Sequence, residues 1–238
     1  MLDVGNSRIK WAQLEGERWA QQGVADLGAW PALQQAFFAL PQPDKILVSN
    51  VAGEQAAQQV IAACAAWFCP VEFITASEEQ CGVRNTYQQP AQLGSDRWAA
   101  LIAAWHQMRA ACLVVSCGTA TTVDALSDEG VFLGGLILPG VHMMRRSLAA
   151  GTAQLAAADG SWQQFPRNSA DAIASGAIQA TAGAIRQQYD LLGRPGARCL
   201  LSGGAADSVQ PHLNVPLLRA DNLVLQGLQV IGQQALHK

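Results

Sequence analysis

Two short glycine-containing segments have the residue types expected of a phosphate-binding turn. The first, DVGNSRIK at residues 3–10, opens the chain, and the second, CGTATTVD at residues 117–124, lies near its middle. In each segment a glycine follows an apolar stretch and precedes small hydroxyl or amide residues. A glycine turn lets backbone N–H groups approach a phosphate, and hydroxyl groups add further donors. One such turn in each half of the chain indicates two related domains that share a nucleotide.

The first turn also carries a carboxylate and a cation. Asp3 ends a short apolar strand and could hold Mg²⁺, through water because Mg²⁺ retains several of its waters. Gly5, Asn6 and Ser7 could bond to phosphate oxygens, with Lys10 as a mobile positive charge. An ordinary Asx or glycine hairpin turn would have the same residues, and this alternative stays open. The turn is not a Walker loop, because the sequence has no G-x-x-x-x-G-K-[ST] pattern.

The segment Gly94-Ser95-Asp96-Arg97, at the predicted start of a helix, contains the candidate catalytic base. The carboxylate of Asp96 could accept the proton of an alcohol that attacks a γ-phosphate. Arg97 offers several donors to a carbonyl or carboxylate of the substrate. Tyr87 lies just upstream and is a candidate pocket wall. The alternative for Ser95 or Asp96 is helix capping, which uses the same residue types.

Composition limits the class of protein. Half of the 238 residues are hydrophobic and 14% are charged, which is typical of a globular chain. The net charge of −3 indicates neither a nucleic-acid partner nor an anionic membrane surface. The six cysteines have no C-x-x-C spacing and no zinc-site pattern, which favours a reduced cytoplasmic protein. We also expect no signal peptide and no membrane-spanning segment.

The order of predicted elements is repeated in the two halves. Each half begins with a strand and a hairpin and continues with helices and further strands, which favours an α/β fold. We predict domains over residues 1–110 and 111–238. Ser202-Gly203-Gly204 follows an apolar strand and could approach a base or ribose, although a helix-entry turn would have the same residues. The main predicted helices are Ser95–Met108, Ser169–Leu192 and 222–236. The longest irregular segment is predicted over residues 78–92.

In combination, these motifs resemble the type III pantothenate kinases over nearly the whole chain. The resemblance implies two ribonuclease-H-like domains of the actin, heat-shock chaperone and sugar kinase superfamily, with mixed sheets and the nucleotide in the cleft between them. It also implies ATP-dependent phosphorylation of pantothenate, the first committed step toward coenzyme A. The segments that carry it are DVGNSRIK (3–10), Gly82-Val83, YQQP (87–90), LGSDR (93–97), GTATTVD (118–124) and GGLILPG (134–140).

The resemblance also implies roles for individual residues. Asp96 corresponds to the general base, and Gly94, Ser95, Arg97 and Tyr87 complete the substrate site. Ser169 occupies a position where the family commonly has a Thr that contacts the substrate. In the family the pantothenate pocket is built partly from the neighbouring subunit, which implies a homodimer. The residues implied for the ATP triphosphate are Asp3, Val4, Gly5, Asn6, Ser7, Arg8, Ile9, Lys10 and, from the second domain, Thr119.

One position departs from the family pattern. Many members have an Asp two residues before the second Gly-Thr, where it binds a monovalent cation such as K⁺ or NH₄⁺. This chain has Ser116 there. A neutral hydroxyl is a poorer cation ligand than a carboxylate, so we expect a weaker or differently built K⁺ site.

Three other functions compete with this interpretation. The chain could be a kinase of the same superfamily that acts on another small alcohol, and the segment from Tyr87 to Arg97 would then differ in specificity. It could be a nucleotide-binding regulator without catalysis, although Asp3, Asp96, Arg97 and Thr119 favour an active enzyme. It could also be an unrelated α/β binding protein.

Overall fold

Strands and helices follow the apolar stretches of the sequence in the computed structural model, which describes residues 1–151 and 159–236. The strands are β1 (Leu2–Val4), β2 (Arg8–Glu15), β3 (Arg18–Asp26), β4 (Ile46–Asn50), β5 (Val71–Phe73), β6 (Glu79–Gln80), β7 (Val83–Asn85), β8 (Cys112–Cys117), β9 (Ala120–Leu126), β10 (Val131–Pro139), β11 (Arg198–Ser202) and β12 (Leu217–Arg219). The helices are α1 (Trp30–Phe38), α2 (Glu54–Cys64), α3 (Ser95–Met108), α4 (Val141–Gly151), α5 (Ser169–Leu192), α6 (Ala206–Val209) and α7 (Leu223–Leu236).

The chain folds into two units. The first unit comprises Met1–Gln107 and a second segment that begins at Asn222, and the second unit comprises Met108–Asp221. The sequence-based division assigned the last helix to the second half, whereas α7 belongs to the first unit. A Cβ on Gly227 of α7 would lie 1.9 Å from the carbonyl oxygen of Ala99 in α3, so the two helix backbones are in direct contact. This close packing depends on contacts distant in sequence, which the local pattern does not reveal.

Both units contain the same arrangement of five strands. In the first unit the order is β3-β2-β1-β4-β5, with antiparallel pairs among the first three strands and parallel pairs among the last three. In the second unit the order β10-β9-β8-β11-β12 repeats this pattern of directions. The structure therefore confirms the α/β class with mixed sheets and the duplication predicted from the sequence.

Helix α3 is the central helix of the first unit. Its residues Ser95 and Arg97 through Trp105 are all buried, and small alanines at every third or fourth position let neighbouring elements approach its backbone. Burial on all sides fixes the helix in position, since little of its surface remains in water. Asp96 lies in its first turn and is the only partly exposed residue between Ser95 and Trp105.

Two predicted helices, α3 and α5, have the bounds that the structure shows. Helix α5 has exactly the predicted bounds, because the Asn168 side chain accepts a hydrogen bond from the Asp171 backbone N–H and Gly193 ends the helix in the left-handed conformation. The prediction of an irregular segment at 78–92 was wrong, since β6, β7 and a 3₁₀ turn at Pro90–Gln92 lie within it. Within the described ranges, no helix has both the length and the apolar character needed to span a membrane.

Candidate active site

The carboxylate of Asp96 lies in the first turn of helix α3. Its Oδ1 accepts a hydrogen bond of 2.8 Å from the backbone N–H of Arg97. Burial raises the pKa of Asp96, and this N–H and the Arg97 guanidinium lower it by smaller amounts. A carboxylate with a raised pKa is a stronger proton acceptor once it is ionised, which is the property that a general base requires.

Gly94 leaves the space that this carboxylate occupies. A Cβ at Gly94 would lie 2.7 Å from Oδ1 of Asp96, well inside van der Waals contact. The φ angle of Gly94 is not in the left-handed region, so the glycine is required here for space and not for its backbone conformation. The sequence predicted Gly94 as a substrate-site residue, and the structure adds that it sets the position of Asp96.

A buried pair of hydroxyl groups lies behind the start of α3. Ser95 Oγ is 2.9 Å from Ser49 Oγ on strand β4, and it also donates to the Asn50 carbonyl oxygen at 3.4 Å. The Ser95 hydroxyl thus anchors the helix to the sheet through Ser49. Sequence reasoning missed Ser49, although a lone serine in the apolar stretch KILVSNV was an available signal.

Arg97 and Tyr87 lie together in the same unit. Arg97 Nη1 donates a 3.0 Å hydrogen bond to the Tyr87 hydroxyl, and the guanidinium carbon is 5.8 Å from the Tyr87 ring centroid. Arg97 is buried and Tyr87 is half-buried. A guanidinium suits a carboxylate partner, because it offers five donors in a planar fork.

Asp3 faces this group of residues from strand β1. It pairs in register with Lys10 of β2 and with Ser49 of β4. The pKa of Asp3 is raised to about 7, chiefly by burial; the charge of Lys10 lowers it and the charge of Asp96 raises it, each by a smaller amount. Two carboxylates that repel each other, with hydroxyl groups nearby, form an oxygen donor set that suits Mg²⁺, since a cation would relieve the repulsion.

The first glycine turn connects β1 to β2. Its Gly5 N–H donates to the Arg8 carbonyl oxygen at 3.0 Å, so this N–H is used within the turn. Val4 and Ile9 belong to the core, whereas Asn6, Ser7 and Arg8 are exposed. Any phosphate contact of Val4 or Ile9 would therefore have to come from the backbone. The side chains that the turn exposes are those of Asn6, Ser7 and Arg8.

The second glycine turn, at Cys117–Thr119 in the second unit, is also closed by a hydrogen bond from its glycine N–H, but one residue shorter than in the first turn. Its Gly118 N–H donates to the Ala120 carbonyl oxygen at 3.0 Å. Two other glycines pack on its backbone: a Cβ on Gly140 would lie 2.2 Å from the Gly118 carbonyl oxygen, and a Cβ on Gly203 would lie 2.5 Å from the Cys117 carbonyl carbon. The predicted turn at Ser202-Gly203-Gly204 therefore packs directly against the backbone of the second glycine turn.

The remaining predicted residues also lie in the second unit. Thr119 is half-buried in the turn just described, and Ser169 is exposed in the first turn of α5. Ser116 is half-buried on β8, in register with Thr122 on one side and Ser202 on the other. The first unit therefore brings together Asp3, Lys10, Tyr87, Gly94, Ser95, Asp96 and Arg97.

Comparison with known proteins gives the family. The family model for type III pantothenate kinase matches residues 1–191. A type III pantothenate kinase from Aromatoleum aromaticum is 49% identical, with 98% of this chain and 97% of the relative covered. The chain belongs to the type III pantothenate kinase family. Members of this family are kinases that phosphorylate pantothenate with ATP. The predicted site residues from Asp3 to Ser169 fall inside the matched region, whereas Ser202 and Gly203 lie beyond it.

Solved structures agree on the fold of this type III pantothenate kinase. A conserved Campylobacter jejuni protein classed with the Baf family of transcriptional activators has a TM-score of 0.63 at 21% identity, and 100% of this chain and 98% of that chain are covered. A Sinorhizobium meliloti protein described as a 2-dehydro-3-deoxygalactonokinase has a TM-score of 0.64 at 15% identity, with 98% of each chain covered. At these identities the likeness shows the ribonuclease-H-like fold alone.

Proposed function

We propose that Asp96 is the general base in the ATP-dependent phosphorylation of pantothenate, the reaction of the family to which the chain belongs. The observation that carries the proposal is the position of its carboxylate. It has a raised pKa, lies beside the Arg97–Tyr87 pair and interacts electrostatically with Asp3. It would orient the pantothenate hydroxyl and accept its proton as the oxygen attacks the γ-phosphate.

Arg97 and Tyr87 would hold the pantothenate molecule. The Tyr87 hydroxyl accepts a hydrogen bond from Arg97 and so helps to fix the guanidinium, which would face the carboxylate or amide oxygens of the substrate. Gly94 and Ser95 would line the same site, and Ser169 would contribute a hydroxyl. Such positioning lowers the barrier because the alcohol is held close to the phosphoryl group before it reacts.

The two glycine turns would bind ATP. We assign Asp3 through Lys10 to the triphosphate and Thr119 to a contact from the second unit. Asp3 would hold Mg²⁺ through water, and bound Mg²⁺ would neutralise charge on the transferred phosphoryl group. Lys10, paired with Asp3 in the strand register, would supply a further positive charge.

A monovalent cation would bind near Ser116 with lower affinity than in Asp-bearing relatives. Ser116 has two other hydroxyl residues, Thr122 and Ser202, as register partners, so only neutral side-chain oxygens are offered from these positions. Titration of activity with K⁺ tests this assignment. Steep activation from zero K⁺, equal to that of an Asp-bearing relative, would refute it.

We also propose a cytoplasmic homodimer that shares its substrate site between subunits. Six free cysteines agree with a reducing compartment, and Ile137 and Phe165 of the second unit are large apolar side chains exposed by 65% and 82%. A mixture of Asp96→Asn and Ser169→Trp subunits tests the shared site. If Ser169 serves the partner's site, each mixed dimer contains one intact site and activity returns, whereas unshared sites stay inactive.

The decisive experiment for the activity is ADP release by the purified protein with Mg²⁺-ATP and K⁺, with and without pantothenate. Pantothenate-dependent ADP release that is lost in Asp96→Asn supports the proposal. ADP release that does not depend on pantothenate points to another acceptor. ATP binding without turnover points to a nucleotide-binding regulator.

A further inference from the structure

Asn85 is a buried polar residue at the end of strand β7, and the proposed function gives it no role. Its side chain is 7% exposed, which is unusual for an amide. Its Oδ1 accepts from the backbone N–H of Tyr87 at 3.1 Å, and its Nδ2 donates to the Pro90 carbonyl oxygen at 3.1 Å. Its own backbone N–H donates to the Glu78 carbonyl oxygen at 2.9 Å.

These bonds fix both ends of the loop that presents Tyr87. One side-chain amide holds the loop at Tyr87 and again at Pro90, where the 3₁₀ turn before α3 begins. The Tyr87 hydroxyl in turn accepts from Arg97 at 3.0 Å. Two hydrogen bonds, one to the backbone of Tyr87 and one to its hydroxyl, therefore link the buried amide of Asn85 through Tyr87 to the guanidinium of Arg97.

We propose that Asn85 is a positioning residue that sets the affinity of the enzyme for its alcohol substrate by holding Tyr87 against Arg97. The inference rests on the proposed function, because it takes Tyr87 and Arg97 as substrate contacts. Asn85 itself touches neither substrate. We expect Asn85 to affect pantothenate and not ATP. The turn proposed to bind ATP, at residues 5–8, is closed by a backbone hydrogen bond of that turn and does not depend on Asn85.

Loss of the Asn85 amide removes two hydrogen bonds from the loop that carries Tyr87. The Tyr87 N–H then loses its acceptor, whereas the Pro90 carbonyl still accepts from the Leu93 N–H at 3.1 Å, and Tyr87 samples positions away from Arg97. Removal of one partner leaves a buried donor or acceptor without its hydrogen bond, and this typically costs about a factor of 10 in affinity. We expect Asn85→Ala to raise KM for pantothenate about 10-fold or more and to change KM for ATP less than twofold.

A second variant and a matched control separate this role from general destabilisation. Asn85→Asp keeps the shape of the side chain and the oxygen that accepts from Tyr87, but it places an anion against the Pro90 carbonyl. It should also raise KM for pantothenate selectively, without a cavity. The control is Ser127→Ala, because Ser127 is a buried residue whose Oγ braces a tight loop of the second unit by accepting from Glu129 and Val131. It should change neither KM.

The second readout does not depend on activity. The chain has two tyrosines, so protein labelled with 3-fluorotyrosine should give two ¹⁹F resonances, from Tyr87 and Tyr189. The Tyr189 hydroxyl donates to the Ala197 carbonyl oxygen at 2.7 Å in the second unit and serves as an internal reference. Asn85→Ala should shift or broaden the Tyr87 signal and leave the Tyr189 signal unchanged.

The outcomes distinguish the inference from the proposed function. If wild type shows no pantothenate-dependent turnover, the proposed function fails, while the ¹⁹F spectra still report whether Asn85 orders Tyr87. If wild type is active but both Asn85 variants keep KM for pantothenate within twofold, the inference is overturned. An unchanged Tyr87 resonance in Asn85→Ala would also overturn it. Selective KM changes together with a perturbed Tyr87 resonance support it.

Discussion

A methyl group added at Gly94 should displace the carboxylate of Asp96, the proposed general base, with little effect on folding. A Cβ there would lie 2.7 Å from Asp96 Oδ1, whereas ordinary contact begins near 3.4 Å, so the carboxylate has to move by about 0.7 Å. The displaced atom is the one that accepts from the Arg97 N–H at 2.8 Å. A misplacement of about 1 Å can cost about 100-fold in rate, so we expect Gly94→Ala to lower kcat about 10- to 100-fold.

Stability should change little in the same variant. The obstructing atom is the end of a side chain and not backbone, and the φ angle of Gly94 is one that alanine can adopt. Replacing a glycine also reduces the entropy of the unfolded chain by about 0.4–1 kcal/mol, which opposes any loss of contact energy. We therefore expect the thermal midpoint to remain within about 3 °C of wild type, given the size of the chain.

The assay is steady-state ADP release with saturating ATP and pantothenate, together with thermal unfolding. Gly28→Ala is the matched control, because a Cβ at Gly28 meets no heavy atom within 4 Å and its φ angle is not left-handed. The control should keep wild-type kcat. The reasoning would be refuted if Gly94→Ala kept normal kcat, or if its loss of activity were matched by a comparable loss of folded protein.

Three further predictions concern Asp96, Asp3 and Gly203, which packs on the second glycine turn. Asp96→Asn should lower kcat about 10²–10⁴-fold. It should also remove the acid limb of the pH–rate profile, which in wild type lies above the ordinary Asp range because burial raises the pKa of Asp96. Burial raises the pKa of Asp3 to about 7, so between about pH 4 and pH 7 the folded protein retains a proton that the unfolded chain has lost. The free energy of unfolding without nucleotide should therefore fall as the pH rises through this range. In urea unfolding, the free energy of unfolding of Asp3→Asn minus that of wild type should be larger at pH 8 than at pH 4. An equal difference at both pH values would contradict this. Gly203→Ala should lose about 2 kcal/mol or more in urea unfolding, because φ is +96° and the new Cβ would lie 2.5 Å from the Cys117 backbone. Gly204→Ala, whose Cβ meets nothing within 4 Å, should not.

The sequence predicted those parts of the molecule that depend on local chemistry. The bounds of α5 follow from Asn168 and Gly193, which satisfy the ends of the helix from within a few residues. The repeated order of elements predicted two related halves, because each strand and hairpin carries its own apolar periodicity. The spacing of the motifs identified the family, since the same residues recur in the same order over the whole chain.

The sequence was less informative where long-range contacts decide the structure. The hairpin of β6 and β7 has two and three residues per strand, too few for a periodic pattern to indicate a strand. The amphipathic pattern of α7 does not indicate which unit it joins. Contacts with distant segments assign it to the first unit, such as the fit of Gly227 against Ala99 and the hydrogen bond from Trp19 to Gln229. Roles for Ser49 and Asn85 could not be inferred, because a polar residue in an apolar stretch does not reveal its partner.

The sequence by itself determined the fold class, the family and the residue types that could carry the reaction. The tertiary structure alone decided how these residues act on one another. It placed Asp3 in register with Lys10 and near enough to Asp96 for the two carboxylates to interact electrostatically. It also removed both carboxylates largely from water, which raises their pKa values. The physical reason is that residue types and local turns are properties of neighbouring positions, whereas burial and electrostatic coupling exist only after distant segments have packed together.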